Sequence, residues 1–295
     1  MTMITRDVLV VGDVCTDVVA VLSGPPAPGS DRPAQIRTRG GGAGANVAVH
    51  LARLGVPVAL AGCVGDDTAG AGLRAELTAA GVDLHLRRVP GVATGTIVSL
   101  VEPDGQRSRL ADRGANLELR SADLPALPAG GHVHLSGYTL FDGAPRAAGL
   151  AAIAAAVAAG CTISVDPAST GPLADYGVSR WVTDTAAATV LLPNADEARL
   201  LTGCPDAEVA ARALAERHAV VAVSLGADGA LWASADRLVH RSALPTTVVD
   251  TTGAGDAFAA GLLAAWLADR DVDPATALDA GLALAADIVR RPGAR

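Results

Sequence analysis

The sequence of 295 residues has no lysine, so all 23 of its basic residues are arginines. This excludes a phosphate-binding loop that depends on a lysine, and it excludes enzymes that form a Schiff base on lysine. Aromatic residues are scarce, with two Phe, two Tyr and three Trp, which leaves little to stack the bases of single-stranded nucleic acid. The net charge of -8 argues against a basic surface for nucleic acid or an anionic membrane. These absences favour a small-molecule partner.

Cysteines and long apolar runs are also few. The four cysteines are far apart and form no Cys-x-x-Cys pair, so neither a zinc site nor a disulfide framework is indicated. The alanine-rich stretch at 147–159 is too short to span a bilayer. The N-terminus has no charged segment followed by an apolar run and a cleavage site. We therefore predict a cytoplasmic protein without a membrane segment.

Short β-branched runs alternate with alanine-rich segments of helical periodicity. Strands are predicted at 8–11, 58–62, 133–136, 162–166, 190–192 and 220–224, and helices near 46–54, 68–80, 145–160 and 207–217. Such alternation is typical of an α/β fold in which helices cover both faces of a mostly parallel sheet. No long linker or internal repeat divides the sequence, so we predict a single domain over residues 1–295.

Two segments break this alternation. Residues 17–39 contain Gly-Pro and Pro-Gly steps, and residues 94–113 turn at Pro103-Asp104-Gly105. Each segment alternates polar and apolar residues and is predicted to form a β-hairpin. Two hairpins that leave the same edge of an α/β core could pair into a small sheet. We expect such a sheet to cover a cleft as a lid.

The segment 248–263 carries the clearest chemical signal. Gly253-Ala254-Gly255 directly precedes an apolar helical pattern, so it is predicted to lie at a helix N-terminus. Small residues there allow backbone N–H groups to converge on an anion, which the helix dipole also attracts. Asp256 follows in the first turn, where its carboxylate could accept a proton from a hydroxyl that attacks phosphorus. For an isolated Gly-x-Gly-Asp, an acid that only stabilises the helix would explain the pattern equally well.

The residues around Asp256 favour the catalytic interpretation. The run Asp250-Thr251-Thr252-Gly253-Ala254-Gly255-Asp256-Ala257-Phe258 closely resembles the C-terminal signature of the ribokinase-like (PfkB) carbohydrate kinases. Further matches, in the family's order, lie at 41–48, 51–55, 62–67, 114–116, 194–197, 224–229 and 291–294. The resemblance implies a ribokinase-like three-layer α/β sandwich with a small β lid. It also implies ATP in the C-terminal half of the cleft and a sugar or nucleoside hydroxyl under the lid.

The resemblance assigns substrate binding to five residues. They are Asp17, Gly41, Gly42, Asn46 and Asn116. A carboxylate and an amide suit this task, because they can distinguish paired hydroxyls from water. The alternatives are an ordinary helix N-cap for Asn46 and a turn residue for Asp17. The glycines at 40–44 do not directly follow the first predicted strand, so a dinucleotide-binding fingerprint is not indicated.

The resemblance also implies nucleotide and cation sites. Asn194, Ser224, Gly226 and Gly229 would bind ATP, Glu197 would hold Mg2+, in part through water, and Asp250 with the Thr252 carbonyl resembles a monovalent-cation loop. The alternative for Glu197 is an acidic residue in the first turn of a helix. The polar residues that usually follow the family's final Gly-Ala are absent from this sequence, so activation by K+ stays open.

Two further groups allow more than one interpretation. His132 and His134 lie on one side of a predicted strand without a third ligand, which favours core or surface histidines over a metal site. Arg107, Arg109 and Arg113 cluster on the second predicted hairpin. They could bind a substrate phosphate, or they could belong to a solvated lid strand.

The leading hypothesis for function is transfer of the γ-phosphate of ATP to a primary hydroxyl of an unphosphorylated sugar. A nucleoside kinase is the first alternative, with Tyr138 and Phe141 among the few residues that could line a base. A phosphosugar kinase would use the lid arginines, and a non-catalytic sugar- or nucleotide-binding regulator would keep the fold without turnover. Because members of the family often pair through their lids, a homodimer is expected.

Overall fold

The computed structural model of the protein describes residues 8–102, 107–127, 129–291 and 293–295. Its strands are β1 (Val8–Val11), β2 (Cys15–Leu22), β3 (Ala34–Gly41), β4 (Val58–Gly65), β5 (Asp83–Val89), β6 (Gly95–Val101), β7 (Arg107–Asp112), β8 (His132–Ser136), β9 (Thr162–Asp166), β10 (Val190–Leu191), β11 (Val220–Ser224), β12 (Ala230–Ala233) and β13 (Leu238–Arg241). Its helices are α1 (Ala43–Arg53), α2 (Thr68–Ala79), α3 (Tyr138–Phe141), α4 (Gly143–Ala158), α5 (Thr170–Tyr176), α6 (Val178–Asp184), α7 (Ala195–Thr202), α8 (Ala207–Ala215), α9 (Ala254–Ala268) and α10 (Pro274–Ile288). Every predicted strand and helix is present, with small differences at the ends.

The central sheet has nine strands in the order β13-β12-β11-β10-β9-β8-β1-β4-β5. Neighbouring strands from β11 to β5 run parallel, whereas β12 and β13 are antiparallel additions at one edge. The predicted mostly parallel sheet is therefore confirmed. The hydrophobic pattern misses β5, because this edge strand, with the sequence DLHLRRV, keeps several polar residues half-buried or exposed.

An apolar cluster on each face of the central sheet forms the core. Val8 and Val10 of β1 belong to a cluster with residues of α1, α2, α9 and α10. Leu9 and Val11 belong to a second cluster with residues of α4, α7 and α8. This alternation follows from the two-residue period of a strand, and it confirms the predicted three layers. Within the described ranges, no helix has the length and hydropathy to cross a membrane.

A second sheet has the strand order β3-β2-β6-β7. β2 pairs antiparallel with β3 and parallel with β6, and β6 pairs antiparallel with β7. The two segments predicted as hairpins, 17–39 and 94–113, contribute to these four strands. The predicted turn at 103–105 lies outside the described residues.

Asn116 joins the two ends of the second sheet. Its side-chain oxygen accepts the N–H of Val14 at 2.9 Å, and its amide donates to the carbonyl oxygens of Val14 at 3.0 Å and Arg113 at 2.9 Å. Val14 directly precedes β2, and Arg113 directly follows β7. The buried amide therefore holds together the chain entering this sheet and the chain leaving it.

An ion pair reinforces the same junction. The Arg113 guanidinium donates from Nε and Nη2 to the two carboxylate oxygens of Asp13, at 2.9 and 2.8 Å. It also contacts the carboxylate of Asp142, and it lies 5.8 Å from the centroid of the Tyr138 ring. A bidentate pair of this kind fixes direction as well as distance.

His132 and His134 are core residues, as the lack of a third ligand predicts. One ring nitrogen of each histidine lies 2.8 Å from the hydroxyl oxygen of Ser164. Burial lowers the pKa of both imidazoles, to about 4 for His134, so both rings are neutral near pH 7. No group of three or more potential metal-ligating side chains occurs in the described part of the chain.

We expect Asn116→Ala to lower the free energy of unfolding by about 1–3 kcal/mol, because the buried N–H and carbonyl of Val14 lose their partner. Chemical denaturation of the variant against the wild type measures this change. Leu117→Ala, at the exposed neighbouring residue, is the control and should change stability much less. Unchanged stability in Asn116→Ala would contradict this structural role.

Candidate active site

A cleft of about 470 Å3 lies between the central sheet and the second sheet. Asp166 ends β9, Asn194 follows β10 and Ser224 ends β11, so these three side chains reach the cleft from the carboxyl ends of parallel strands. In open α/β sheets this edge is the usual position of a ligand site. Ile97, Ser99 and Arg109 line the cleft from the second sheet.

The structure brings most of the predicted site residues together. The predicted residues that line the cleft are Asp17, Gly42, Asn46, Asn194, Glu197, Ser224, Thr252, Gly253, Gly255 and Asp256. The predicted residues that do not line it are Gly41, Asn116, Gly226, Gly229, Asp250 and Ala254. Asn116 instead binds the chain at the junction of the second sheet.

Gly253 sets the start of α9. It is the N-cap residue with a φ of 76°, a conformation that favours glycine. A Cβ at this position would lie 2.4 Å from the Cβ of Ala294, whereas a Cβ at Gly255 would meet no atom within 4 Å. The backbone of the first helical turn is thus supported on one side and accessible on the other, as an anion site requires.

Asp256 lies on this first turn and faces α1. Its Oδ2 accepts a hydrogen bond of 2.7 Å from Nδ2 of Asn46. Burial raises the pKa of Asp256, the nearby carboxylates Asp166 and Asp17 also raise it, and the Asn46 hydrogen bond and the Arg109 charge oppose the rise, which brings the pKa to about 7. A carboxylate with a pKa near 7 is suited to accept and release a proton at neutral pH.

The glycines before α1 make room for neighbouring groups at one end of the cleft. A Cβ at Gly41 would lie 2.3 Å from the carboxylate of Asp17, and a Cβ at Gly42, with a φ of 93°, would lie 2.3 Å from the carbonyl oxygen of Asp13. Burial raises the pKa of Asp17, and the charges of Arg109 and Arg295 oppose this rise. Gly41 therefore acts by allowing Asp17 its position.

Glu197 lies in the first turn of α7 and forms a capping box with Asn194, the N-cap residue of this helix. The N–H of Glu197 donates to Oδ1 of Asn194, and the N–H of Asn194 donates to Oε2 of Glu197, each at 2.9 Å. Glu197 therefore has the first-turn position of the alternative interpretation and also lines the cleft. Burial and the charge of Asp166 raise the pKa of Glu197, and burial raises the pKa of Asp166.

Asp166 is a site residue that the sequence analysis missed. Two neighbouring carboxyl groups that repel each other when both are ionised fit a divalent cation, which would offset both charges. The sequence does carry one signal for Asp166, which is its position at the carboxyl end of a predicted parallel strand. Its Oδ1 also accepts the N–H of Ala168 at 2.7 Å, and Ala168 has a φ of 73°.

The remaining predicted nucleotide residues lie around the β11–β12 turn. Gly229 has a φ of 100°, and a Cβ there would lie 1.9 Å from the carbonyl oxygen of Arg241. Gly226, with a φ of 62°, has open space around its Cα. The Leu225 N–H donates to the Gly229 carbonyl at 2.8 Å, which closes this turn beside Ser224.

Asp250 organises the loop before α9. Its Oδ1 accepts the N–H of Thr252 at 2.9 Å and the hydroxyl of Thr252 at 2.7 Å, and its Oδ2 accepts the N–H of Gly293 at 3.0 Å. The carboxylate is buried and supports the loop from the side away from the cleft.

The structure separates two of the three arginines of the second hairpin, Arg109 and Arg113. Arg109 and Ala111, two residues apart on β7, line the cleft, as the period of a strand requires. Arg113 pairs with Asp13 and Asp142. The side chain of Arg107 lies outside the described residues. Tyr138 and Phe141 are the two aromatic residues that the sequence suggests for contact with a nucleoside base. Tyr138 lines the cleft, and the centroid of the Phe141 ring lies 6.0 Å from that of the Tyr138 ring.

Residues 5–295 match the profile of the pfkB family carbohydrate kinase. The chain is 38% identical over 276 residues to the ATP-dependent ribose-1-phosphate kinase of Halopiger xanaduensis, covering 91% of this chain and 87% of that protein. It is 35% identical over 253 residues to a fructokinase of Klebsiella pneumoniae, covering 83% and 82%. The solved structure of aminoimidazole riboside kinase from Salmonella enterica, complexed with aminoimidazole riboside and an ATP analogue, has a TM-score of 0.81 and 30% identity, covering 98% of this chain and 95% of that one.

We expect Glu197→Gln to raise the free energy of unfolding at pH 8, without divalent cations, by about 1 kcal/mol or more. The folded protein raises the pKa of Glu197 from 4.5, so the ionised side chain costs stability, and glutamine resembles the protonated form. The gain should fade as the pH falls toward 4.5 and below, where the wild-type side chain becomes protonated in the unfolded state as well as in the folded state.

Denaturant unfolding at pH 5 and pH 8 measures this difference. Glu208→Gln is the matched control, because Glu208 is an exposed acid in the first turn of α8. It should leave stability unchanged or slightly lower at both pH values. Equal destabilisation by Glu197→Gln at both pH values would contradict the repulsion between Glu197 and Asp166.

Proposed function

Because the chain belongs to the pfkB family of carbohydrate kinases, we propose that it transfers the γ-phosphate of ATP to a hydroxyl group of a sugar, with Asp256 as the general base. The observation that carries this proposal is the position of Asp256. It combines a pKa near 7 with a place on the first turn of α9, beside backbone that is accessible to an anion.

The proposed reaction needs little covalent chemistry from the protein. The hydroxyl oxygen attacks phosphorus, its proton passes to the Asp256 carboxylate, and the bond between the γ-phosphorus and the bridging oxygen of ATP breaks, leaving ADP. The N-terminal end of α9 stabilises negative charge on the transferring group. Asn46 holds the carboxylate oxygen of Asp256 at 2.7 Å, and Asp17 is placed to accept a hydrogen bond from another hydroxyl of the acceptor.

Asp166 and Glu197 are the residues that would hold Mg2+. Two carboxylates are enough, because Mg2+ keeps several waters and is also bound by phosphate oxygens. When bound, the ion neutralises charge on the phosphates of ATP. Asn194, Ser224, Gly226 and Gly229 are proposed to bind the nucleotide along the neighbouring strand ends.

Activation by K+ at Asp250 and Thr252 stays a prediction. Both carboxylate oxygens of Asp250 already accept hydrogen bonds from Thr252 and Gly293, which holds the loop together through the protein's own groups. Comparing turnover in K+ with turnover in an inert monovalent cation such as tetramethylammonium tests the prediction.

Two alternatives to a plain sugar acceptor have support in the cleft. Arg109 favours an acceptor that carries a phosphate, in agreement with the similarity to a ribose-1-phosphate kinase. Tyr138 and Phe258, which also line the cleft, would suit a nucleoside base. A non-catalytic regulator is less well supported, since Asp256, Asn46 and the start of α9 are all in place for turnover.

A cytoplasmic homodimer remains part of the proposal. Ile36 and Leu110, which the strand pairing puts on the same face of the second sheet, are 66% and 59% exposed. Apolar side chains on one exposed sheet suit contact with a second copy. Sedimentation of the wild type against Ile36→Arg would test this pairing.

We expect Asp256→Asn to lower turnover about 10²- to 10⁴-fold, because an amide cannot accept the hydroxyl proton. ATP affinity should change little. Coupled ADP release with ATP and Mg2+ measures turnover, and isothermal titration measures binding. Asp269→Asn, at the exposed far end of the same helix, is the matched control with expected wild-type activity. Full turnover by Asp256→Asn would contradict the proposed mechanism.

The acceptor class can be identified by a screen of pentoses, hexoses, their phosphates and nucleosides. If the acceptor carries a phosphate, we expect Arg109→Ala to raise its KM about tenfold or more, from loss of a charge-assisted contact, and to leave kcat less affected. Arg37→Ala, at an exposed arginine of β3 in the same sheet, should leave KM unchanged. An equal KM in wild type and Arg109→Ala would argue for an unphosphorylated acceptor.

A further inference from the structure

Residues 293–295 connect the loop before α9 with helix α1. The N–H of Gly293 donates to Asp250, and the carbonyl oxygen of Ala294 lies 2.9 Å from Nε2 of His50 on α1. Burial lowers the pKa of His50 to about 4, so the ring is neutral and donates to this carbonyl. Ala294 also packs against Gly253, leaving no space for a Cβ there. The backbone of this segment is therefore held on both sides.

The Arg295 side chain is buried beside the cleft, with 2% exposed. Its Nε donates to Oε1 of Glu76 at 2.9 Å, and its Nη1 lies 3.5 Å from Oδ1 of Asn46. Its Nη2 has no hydrogen-bond partner among the described residues. A Cβ at Gly40 would lie 2.0 Å from this Nη2, so the glycine leaves the space that the guanidinium occupies.

Stability does not explain a cation in this position. Burial lowers the pKa of Arg295, which means that the charged form is disfavoured here. Its carboxylate partner Glu76 is 47% exposed, so the pair is only partly shielded from water. Burying a charge with a half-exposed partner and an unsatisfied N–H group costs free energy. The position of the guanidinium beside Asn46 offers a functional reason.

The Asn46 amide has a donor end and an acceptor end. The donor Nδ2 lies 2.7 Å from Oδ2 of Asp256, and the acceptor Oδ1 faces Arg295. If the amide rotated by half a turn, its oxygen would face the carboxylate of Asp256 and its NH2 group would face the guanidinium. Both contacts would then be repulsive. At 3.5 Å the Arg295 contact is long for a hydrogen bond, so it acts mainly through the guanidinium charge on the amide dipole.

We propose that Arg295 is a positioning residue for the general base, and that it holds the Asn46 amide in the orientation that donates to Asp256. This inference rests on the proposed function for its effect on turnover. The geometry itself predicts an effect on the Asp256 carboxyl whether or not the acceptor is known. The charge of Arg295 also lowers the pKa of Asp17, so the same guanidinium acts on the substrate side.

The primary test is the pKa of Asp256 in Arg295→Gln. Carbon-13 labelling of aspartate carboxyls allows NMR titration of the protein without ATP or acceptor, and Asp256→Asn assigns the resonance. We expect the variant to raise the pKa of Asp256 by about one unit, because the ionised form loses its fixed donor. With the acceptor found by screening, kcat should fall about tenfold. The acidic limb of the kcat/KM profile should move to higher pH.

Gly40→Ala should displace the same guanidinium by steric contact. Its Cβ would meet Nη2 of Arg295 and, at 2.5 Å, Oε2 of Glu76, both ends of flexible side chains that can move. It should reproduce the higher pKa of Asp256 with Arg295 still present. Arg295→Lys keeps the charge and should restore the pKa in part. Arg291→Gln is the matched control, because Arg291 is exposed and paired with Asp287.

An unchanged pKa of Asp256 in both Arg295→Gln and Gly40→Ala would overturn the proposal, even if both variants were less stable. Equal changes in Arg291→Gln would also overturn it, since the effect would then be general to this part of the surface. The proposed function fails separately, if Asp256→Asn keeps full turnover. In that case, the titration still decides whether Arg295 controls the Asp256 carboxyl.

Discussion

The hydrogen bond from Asn46 to Asp256 joins helix α1 to helix α9 across the cleft. One helix follows the second sheet and carries the proposed substrate contacts, and the other begins with the proposed anion site. A single short contact therefore links the proposed general base to the helix that carries the proposed substrate contacts. Proton transfer depends steeply on distance, so much of the surrounding structure serves to keep the two helices in register. The loop held by Asp250, the glycines before each helix and the segment 293–295 all do so.

Negative charge is concentrated in this cleft. Asp17, Asp166, Glu197 and Asp256 each have a raised pKa, mainly because burial removes water from the carboxylate. Such groups lower the stability of the protein at neutral pH, and their retention is typical of a functional site. A protein without lysine must offset this charge with arginines or bound cations. Arg109 acts on Asp17 and Asp256, and Arg295 acts on Asp17. Neither arginine is among the groups that shift the pKa of Asp166 or Glu197, the two residues proposed to hold Mg2+.

The second sheet is attached to the core at a junction made of a buried amide and an ion pair. Asn116 and the pair of Arg113 with Asp13 connect the residues that enter the sheet to those that leave it. Strand β3 is exposed along most of its length. Asp13 and Arg113 also line the cleft, so the junction forms part of its wall.

The sequence by itself determined the features that depend on local pattern. Alternating strands and helices predicted the parallel sheet, and Gly253-Ala254-Gly255-Asp256 predicted the start of α9, because helix caps and turns are decided by neighbouring residues. Tertiary structure alone decided which distant groups meet. Asp256 contacts Asn46 across 210 positions, and Arg295 reaches Glu76 across 219. The side chain of Asn116 is of a type that often binds ligands, so the sequence alone favours a ligand role. Its buried hydrogen bonds in the folded protein show a structural role instead. Likewise, only the fold shows that Asp166 lies in the cleft close to Glu197. Long-range contacts of this kind leave no local periodicity, since they depend on how the sheets and helices pack in three dimensions.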